Sequence, residues 1–461
     1  MTKLGVPGPD QGVSGVTAVH SPPSPPTARR RPETVARTGL YALLAANALV
    51  VAVLFVRAGF GANALVVLGR LTGLYAGLLM AFQLLLVARL PWLDRRIGMD
   101  RLTLWHRWTG FGLLWALLAH VVFITFGYAD MSSLDPVDQL VDLAGTVEGV
   151  LRAVVALALI LVVGAVSARR ARRRLAYETW HFIHLYSYAA VVLAFSHQVA
   201  VGSTFTASPA ATAYWWGLWG AALTAVLTGR LVLPLGRNRR HRLRVTAVVP
   251  ENDQVVSVHI TGRDLHRLPA RAGQFFLWRF LTRDRWWQAH PFSLSAAPDG
   301  RTLRLTVKAA GDGSAALRRL RPGTRVFAEG PYGAFTTLRR TRPDTLLIAG
   351  GVGVTPIRAL LEELDGHAVV LYRVRTEADA VLLGELRALA LAKGAELHLV
   401  TGPAAPDRLA PAELSRLVPD LTGRDVYVCG PPGMTTAVLR SLRALGVPKR
   451  QIHHERFSLA G

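Results

Sequence analysis

The segments LTLWHRWTGFGLLWALLAHVVF (residues 102–123) and ETWHFIHLYSYAAVVLAFSHQV (residues 178–199) are apolar and long, and each carries two widely spaced histidines. His106 and His120 are fourteen residues apart, and His184 and His197 are thirteen apart. At about 1.5 Å of rise per helical residue, each pair is separated by roughly 20 Å. One histidine of each pair then lies toward each side of a bilayer core about 30 Å thick. Ionisable groups inside a membrane are costly and mark function. Four of them at matched depths in two helices predict two stacked bis-histidine hemes, with His106, His120, His184 and His197 as the iron ligands.

The rest of the chain fits a membrane protein. Its 461 residues are long enough for about three domains. An apolar fraction of 51% and a mean hydropathy of +0.30 are high for a soluble protein. The net charge of +23 raises the question of nucleic acid. The N-terminal arginines, however, cluster between apolar segments and form no basic face interleaved with aromatics, so membrane topology accounts for them and nucleic acid is excluded as a partner. Cys429 is the single cysteine, which rules out an internal disulfide and a cysteine-ligated iron–sulfur cluster.

Residues 1–36, rich in Pro, Ser and Gly, read as a disordered cytoplasmic tail with no cleavable signal peptide. Six apolar stretches follow within residues 37–236, at about 38–57, 63–88, 103–127, 149–167, 177–200 and 212–233, each long enough to span. Arginines flank alternate loops, from Arg29–Arg31 before the first span to Arg237, Arg239 and Arg240 after the sixth. The loop after the third span is acidic, with Asp130, Asp135, Asp138 and Asp142. By the positive-inside rule, both termini and everything after residue 236 are cytoplasmic, in a multi-pass cell-membrane protein. Spans three and five run in the same direction, so His106 pairs with His184 near the inner face and His120 with His197 toward the outer face. Helical phase suits span three better. Fourteen residues return to within roughly 40° of the starting face, whereas thirteen miss by about 140°. Span five is therefore expected to need a bulge, a tilt or ring rotation, and His181 is the alternative inner ligand.

After a basic hinge, RNRRHRLRV, short alternating strands predict an antiparallel β-barrel over residues 240–337. From residue 343 to 461, five strands alternate with four helices, the pattern of a parallel, doubly wound α/β sheet.

The motifs of this second half are HPFSLS (residues 290–295), VKAAGDGSAALRRL (residues 307–320), IAGGVGVTPIRALL (residues 348–361) and CGPPGM (residues 429–434). Together they resemble the ferredoxin–NADP reductase superfamily, and residues 38–461 as a whole resemble the ferric reductase and NADPH oxidase family. The resemblance implies an FAD-binding barrel, a nucleotide-binding α/β domain and a six-helix heme domain. It places Phe292 against the isoalloxazine, Ser293 near flavin N5, and His290 with Pro291 on the phosphate or ribityl side. Lys308, Gly311, Gly313 and Ser314 would surround the FAD pyrophosphate, where glycines admit a close backbone and a helix start offers free N–H groups. Gly350, Gly351, Gly353, Thr355 and Pro356 would form the nicotinamide nucleotide loop, which departs from GxGxxG. Cys429, Gly430 and Pro431 would lie beside the nicotinamide. Phe457 would cover the flavin, although it is followed by four residues rather than being terminal as in some relatives.

These expectations combine into a transmembrane oxidoreductase that moves electrons from cytoplasmic NADPH through FAD and two b-type hemes to an acceptor outside. That acceptor is oxygen, ferric iron, or a periplasmic or extracellular protein. The rival is a helical transporter or channel with a regulatory nucleotide-binding module. Ser293, Cys429 and Phe457 are the residues expected at the reacting flavin and nicotinamide. NADPH is preferred and NADH left open, because Arg373 and Arg375 follow the second nucleotide-domain strand where an NAD enzyme more often offers a carboxylate to the ribose; Arg375 is favoured. Arg70, well inside the second span, is costly there unless paired. A propionate of the outer heme is its expected partner.

Overall fold

The protein is described from a computed structural model covering residues 32–168, 171, 174–175, 177–403 and 409–456. Most of the expected tail, residues 1–31, and Phe457 lie outside the described residues. Six helices are long and apolar enough to cross a membrane: Pro32–Arg57, Ala64–Val87, Met99–Ser132, Val150–Ser167, Tyr177–Val201 and Pro209–Leu227. The first begins at Pro32, so residues 32–36, assigned above to the tail, are helical. Proline suits a helix start because its missing N–H has no intrahelical partner there. The acidic loop after the third span holds a helix of its own, Pro136–Thr146, started by the Asp135 carboxylate accepting from the Val137 N–H at 2.8 Å.

The sixth span does not end at a hinge. It passes through a π-helical turn, Thr228–Val232, into Leu233–His241, so the basic RNRRH segment is the end of that helix. Arg239, Arg240 and His241 sit where the negative end of the helix dipole favours cations. The second span forms the middle of the bundle, with Leu74, Ala76, Leu78 and Met80 buried against Val51, Phe55, Trp215 and Trp219 of the first and sixth. Span three packs along span two and span five along span four, leaving spans three and five to face one another across a gap.

Six strands follow: β1 (Arg244–Pro250), β2 (Val255–Thr261), β3 (Phe275–Phe280), β4 (His290–Ser293), β5 (Thr302–Lys308) and β6 (Val326–Tyr332). They do not close into the expected barrel. Two three-stranded antiparallel sheets, β1-β2-β5 and β4-β3-β6, meet only at isolated bridges between Arg244 and Arg325 and between Leu294 and Leu305. Strand β4 is four residues long and contains Pro291, which has no N–H to donate, so it serves as an edge. Val258, Ile260, Phe276, Trp278 and Leu305 fill the space between the sheets.

The last domain is as the sequence pattern predicts. Strands β7 (Thr345–Gly350), β8 (Ala368–Arg373), β9 (Glu396–Val400), β10 (Asp425–Gly430) and β11 (Ile452–Arg456) form a parallel sheet in the order β11-β10-β7-β8-β9. The order reverses between β7 and β10, which is where open α/β sheets leave a crevice beyond the strand ends.

Candidate functional site

Spans three and five bring their histidines together in two layers. The ring centres of His106 and His184 are 6.1 Å apart, and those of His120 and His197 are 6.4 Å apart. A metal ion between two imidazole nitrogens, about 2.0–2.1 Å from each and with roughly 1.1 Å more to each ring centre, spaces the centres by about 6.3 Å. Each pair is therefore spaced as two imidazoles sharing one metal ion would be. The fifth span achieves this as an unbroken helix, so of the bulge, tilt or ring rotation expected there the bulge is not used. It is His184 that faces His106, whereas the His181 ring lies 6.4 Å from Trp180.

Hydrogen bonds fix three of the rings. His120 Nδ1 is 2.8 Å from the Gly69 carbonyl, and His197 Nδ1 is 3.2 Å from that of Gly149. A carbonyl only accepts, so each Nδ1 donates, and in a neutral ring Nε2 keeps the lone pair a metal needs. His184 Nδ1 lies 3.3 Å from the Ser167 hydroxyl, which also accepts from Trp180 Nε1 at 3.2 Å. The His106 carbonyl accepts from Gln83 at 2.9 Å, while its Nδ1 is buried without a hydrogen-bond partner among the described residues. Room for His120 depends on Gly73, where a Cβ would come within 2.6 Å of the ring.

Arg70 pairs with no carboxylate among the described residues. It donates to the Gly59 carbonyl at 3.5 Å and the Thr204 hydroxyl at 3.4 Å, and its guanidinium lies 5.7 Å from the Phe55 ring centre. Its Nε is buried and unpartnered.

In the antiparallel domain the HPFS segment forms β4 and the glycine-rich turn comes up beside it. A Cβ on Gly313 would lie 3.0 Å from the His290 ring and 3.2 Å from Gln288. The His290 and Phe292 rings share one side of the strand and are parallel within 5° at 5.7 Å. Ser293 is buried and belongs to the opposite face with Pro291. The helix expected at Ser314 is one turn, Asp312–Ala315. The Ser314 hydroxyl holds that turn by accepting from the Ala310 and Gly311 N–H groups at 2.8 and 3.2 Å. So short a helix carries little dipole, and any anion there would rely on the close backbone instead.

A cleft of about 940 Å³ opens at the sheet reversal, lined by Gly350, Gly351, Pro431, Arg373, Arg375 and Lys308. It is shared between domains, since Asn252–Val255 of the antiparallel domain also border it, a contribution no sequence signal announced. Arg373 is spent on the backbone, donating to the Gly402 carbonyl at 2.8 Å and to those of Val374 and Pro403. Arg375 is exposed and makes no side-chain hydrogen bond among the described residues. Thr355 and Pro356 do not reach the cleft: both are buried, with Thr355 donating to the Val352 carbonyl at 3.1 Å. Gly353 lets the β7 turn lie against β10, since a Cβ there would sit 2.3 Å from the Cys429 carbonyl oxygen. Cys429 is fully buried; burial and then the Glu455 carboxylate push its thiol well up, so it is neutral.

Arg304 and Glu385, unremarked in the sequence, join the two domains. Arg304 donates twice to Glu385, at 2.8 and 2.9 Å, and to the Ser295 carbonyl at 2.9 Å. Burial works to raise the Glu385 carboxyl, but the guanidiniums of Arg304 and Arg358 more than reverse it and hold it below the usual range.

Three family models match the chain. Residues 72–195 match the ferric reductase like transmembrane component, residues 240–336 an FAD-binding domain, and residues 347–440 an oxidoreductase NAD-binding domain. Ferredoxin–NADP reductase B of Sorangium cellulosum is 33% identical over 187 residues, covering 36% of this chain and 77% of that protein. The ferredoxin–NAD(+) reductase component of the alkene monooxygenase system of Xanthobacter autotrophicus is 32% identical over 236 residues, covering 48% of this chain and 70% of that protein. Among solved structures, the FAD/NAD-binding domain of nitric oxide dioxygenase from Vibrio cholerae aligns at 26% identity with a TM-score of 0.40, covering 48% of this chain and 99% of that one. The chain belongs to the ferredoxin–NADP reductase family, as a membrane NAD(P)H-dependent oxidoreductase whose reductase module follows a ferric reductase-like transmembrane component.

Proposed function

We propose that the protein moves electrons from cytoplasmic NADPH, through FAD and two b-type hemes, to an oxygen or ferric acceptor on the far side of the membrane. The observation that carries this reading is the pair of histidine layers, each with the spacing of an axial iron site. They are stacked along the two helices from the reductase module outward. FAD, when bound, supplies the conversion of a two-electron hydride donor into single electrons that iron can take. His106 and His184 would hold the iron nearer the module, and His120 and His197 the farther one. The β4 strand and the Gly311–Ser314 turn would hold the flavin. The module lies at the end of the bundle that carries the basic loops, which supports a cytoplasmic module by the positive-inside rule. Purified protein should show Soret and α bands that take on the reduced form, with a sharpened α band, on adding NADPH only when FAD is present; a colourless protein would overturn the reading.

Nucleotide choice falls to Arg375, which projects into the cleft with its guanidinium uncommitted, whereas Arg373 is held by carbonyls. Arg375→Ala is expected to lower the NADPH to NADH ratio of kcat/KM by about tenfold, the loss of one charge-assisted contact of roughly 1.5 kcal/mol. An unchanged ratio would remove Arg375 from the 2′-phosphate site.

Arg70 is proposed to hold a carboxylate of the farther heme, since its Nε is buried without a partner and its two other contacts are long. Arg70→Ala should then shift the potential of that heme while NADPH-driven flavin reduction stays normal. A wild-type potential would mean that Arg70 serves only Thr204 and Gly59.

A further inference from the structure

The reductase module meets the bundle along one strand. Ala328 of β6 is bonded twice by Asn238 of the sixth helix: Nδ2 donates to its carbonyl at 2.8 Å, and its N–H donates to Oδ1 at 2.9 Å. Glu329 accepts from Arg89, in the turn after the second span, at 2.6 Å, and from Arg279 of β3 on its other side. The Gly330 carbonyl accepts from Arg237. Just past the strand, the Gly333 N–H donates at 2.9 Å to Asp94, which is 1% exposed. Strand β6 is an edge of its sheet, and an edge leaves backbone groups open. Here side chains from the bundle close it residue by residue.

Glu329 is the charged centre of this contact. Ala328 faces the core between the sheets, so the two-residue period turns Glu329 toward the bundle, where it is 6% exposed. A carboxylate so buried needs partners, and it has one guanidinium from each module. The turn that presents Arg89 is held in place as well. Arg89 has a left-handed φ of 58°, a conformation that a non-glycine residue keeps only when its surroundings impose it. The π turn supplies those surroundings. A Cβ on Gly229 would lie 1.9 Å from the Ala88 carbonyl oxygen, and Arg230 donates to the Val87 carbonyl at 2.9 Å. Beside it, Met99 at the start of the third span packs on Phe275, Leu277 and Tyr332 of the β4-β3-β6 sheet. His106 follows seven residues later on that helix.

We propose that β6 is the element that fixes the reductase module on the bundle, and that Glu329 is the positioning residue for electron passage from the flavin strand to the His106–His184 layer. The second half rests on the function proposed above. The test uses full-length protein in detergent or nanodiscs, with Glu329→Gln, Arg89→Ala and the conservative Arg89→Lys. Hydrogen exchange in the 326–333 segment is expected to rise in the first two variants and to return toward wild type in the third. This readout needs no heme. NADPH-driven flavin reduction should be unchanged, while oxidation of the reduced flavin by the membrane domain slows by roughly tenfold or more, the scale of a small misplacement between reacting groups. Wild-type exchange in both Glu329→Gln and Arg89→Ala overturns the docking role. Faster exchange with an unchanged flavin oxidation rate overturns the positioning role. If Glu329→Gln does not fold, Arg89→Ala and Arg89→Lys give the same comparison from the bundle side. A protein without heme would refute the electron path while leaving the exchange result to stand.

Discussion

Replacing His120 with leucine is expected to halve the heme content of the purified protein and to drop reduction of the external acceptor to background, while NADPH still reduces the flavin. The reason is the arrangement around that ring. His120 faces His197 with ring centres 6.4 Å apart, its Nδ1 is tied to the Gly69 carbonyl, and Gly73 leaves the space it occupies. Leucine keeps bulk and apolarity in the helix but offers no nitrogen, so the farther iron would have one axial ligand in place of two. The His106–His184 layer, fourteen residues nearer the module along the third span, would keep both of its histidines. Heme extraction and quantitation against protein measures the first effect, and stopped-flow bleaching of the flavin the second. Wild-type heme stoichiometry in the variant would withdraw His120 as a ligand.

Gly353→Ala should be the most damaging single change in the nucleotide cleft. The added Cβ would lie 2.3 Å from the Cys429 oxygen, 2.7 Å from its carbonyl carbon and 2.9 Å from Gly430 Cα, all of them backbone atoms. Backbone in the middle of a parallel sheet cannot swing aside as a side chain can, so the β7 turn would have to lift from β10. Overpacking of this kind costs about 1–3 kcal/mol or more. Expressed in the geometry of the cleft, that is roughly a 5- to 150-fold loss in flavin reduction by NADPH. Dithionite, which needs no cleft, should reduce the variant as it does the wild type. An unchanged NADPH KM and flavin reduction rate would show that the two turns do not shape the site together.

Much of this was legible in the sequence because the strongest patterns are local. Apolar runs of helical length announced the six spans, and strands alternating with helices announced the parallel sheet, since each signal is repeated over ten or more residues. The histidine spacing predicts the two layers, and its phase argument asks for a bulge, a tilt or ring rotation in the fifth span. That helix is unbroken, so the bulge is the alternative it does not use. Local composition misled where tertiary contacts decide. RNRRH looks like a linker, yet it is helical because Asn238 and Arg237 bond to β6 and the last cations meet the helix dipole. Barrel closure depends on pairing between distant strands, which no local pattern encodes. Arg304 and Glu385 are ordinary surface residues by type, and only the packing of two domains brings the buried Arg304 onto the exposed Glu385.

The continuity of the sixth helix has a consequence for how copies of the protein relate to one another. The helix leaves the membrane and runs to His241, and β1 begins at Arg244, so only Arg242 and Leu243 separate them. Two residues reach at most about 7 Å. A reductase module on so short a tether cannot swing across to serve a neighbouring bundle, whatever the density of the protein in the membrane. On the proposed electron path each bundle would draw only on its own module, so two chains broken at opposite ends, one in the cleft and one in the histidine layers, would not repair each other.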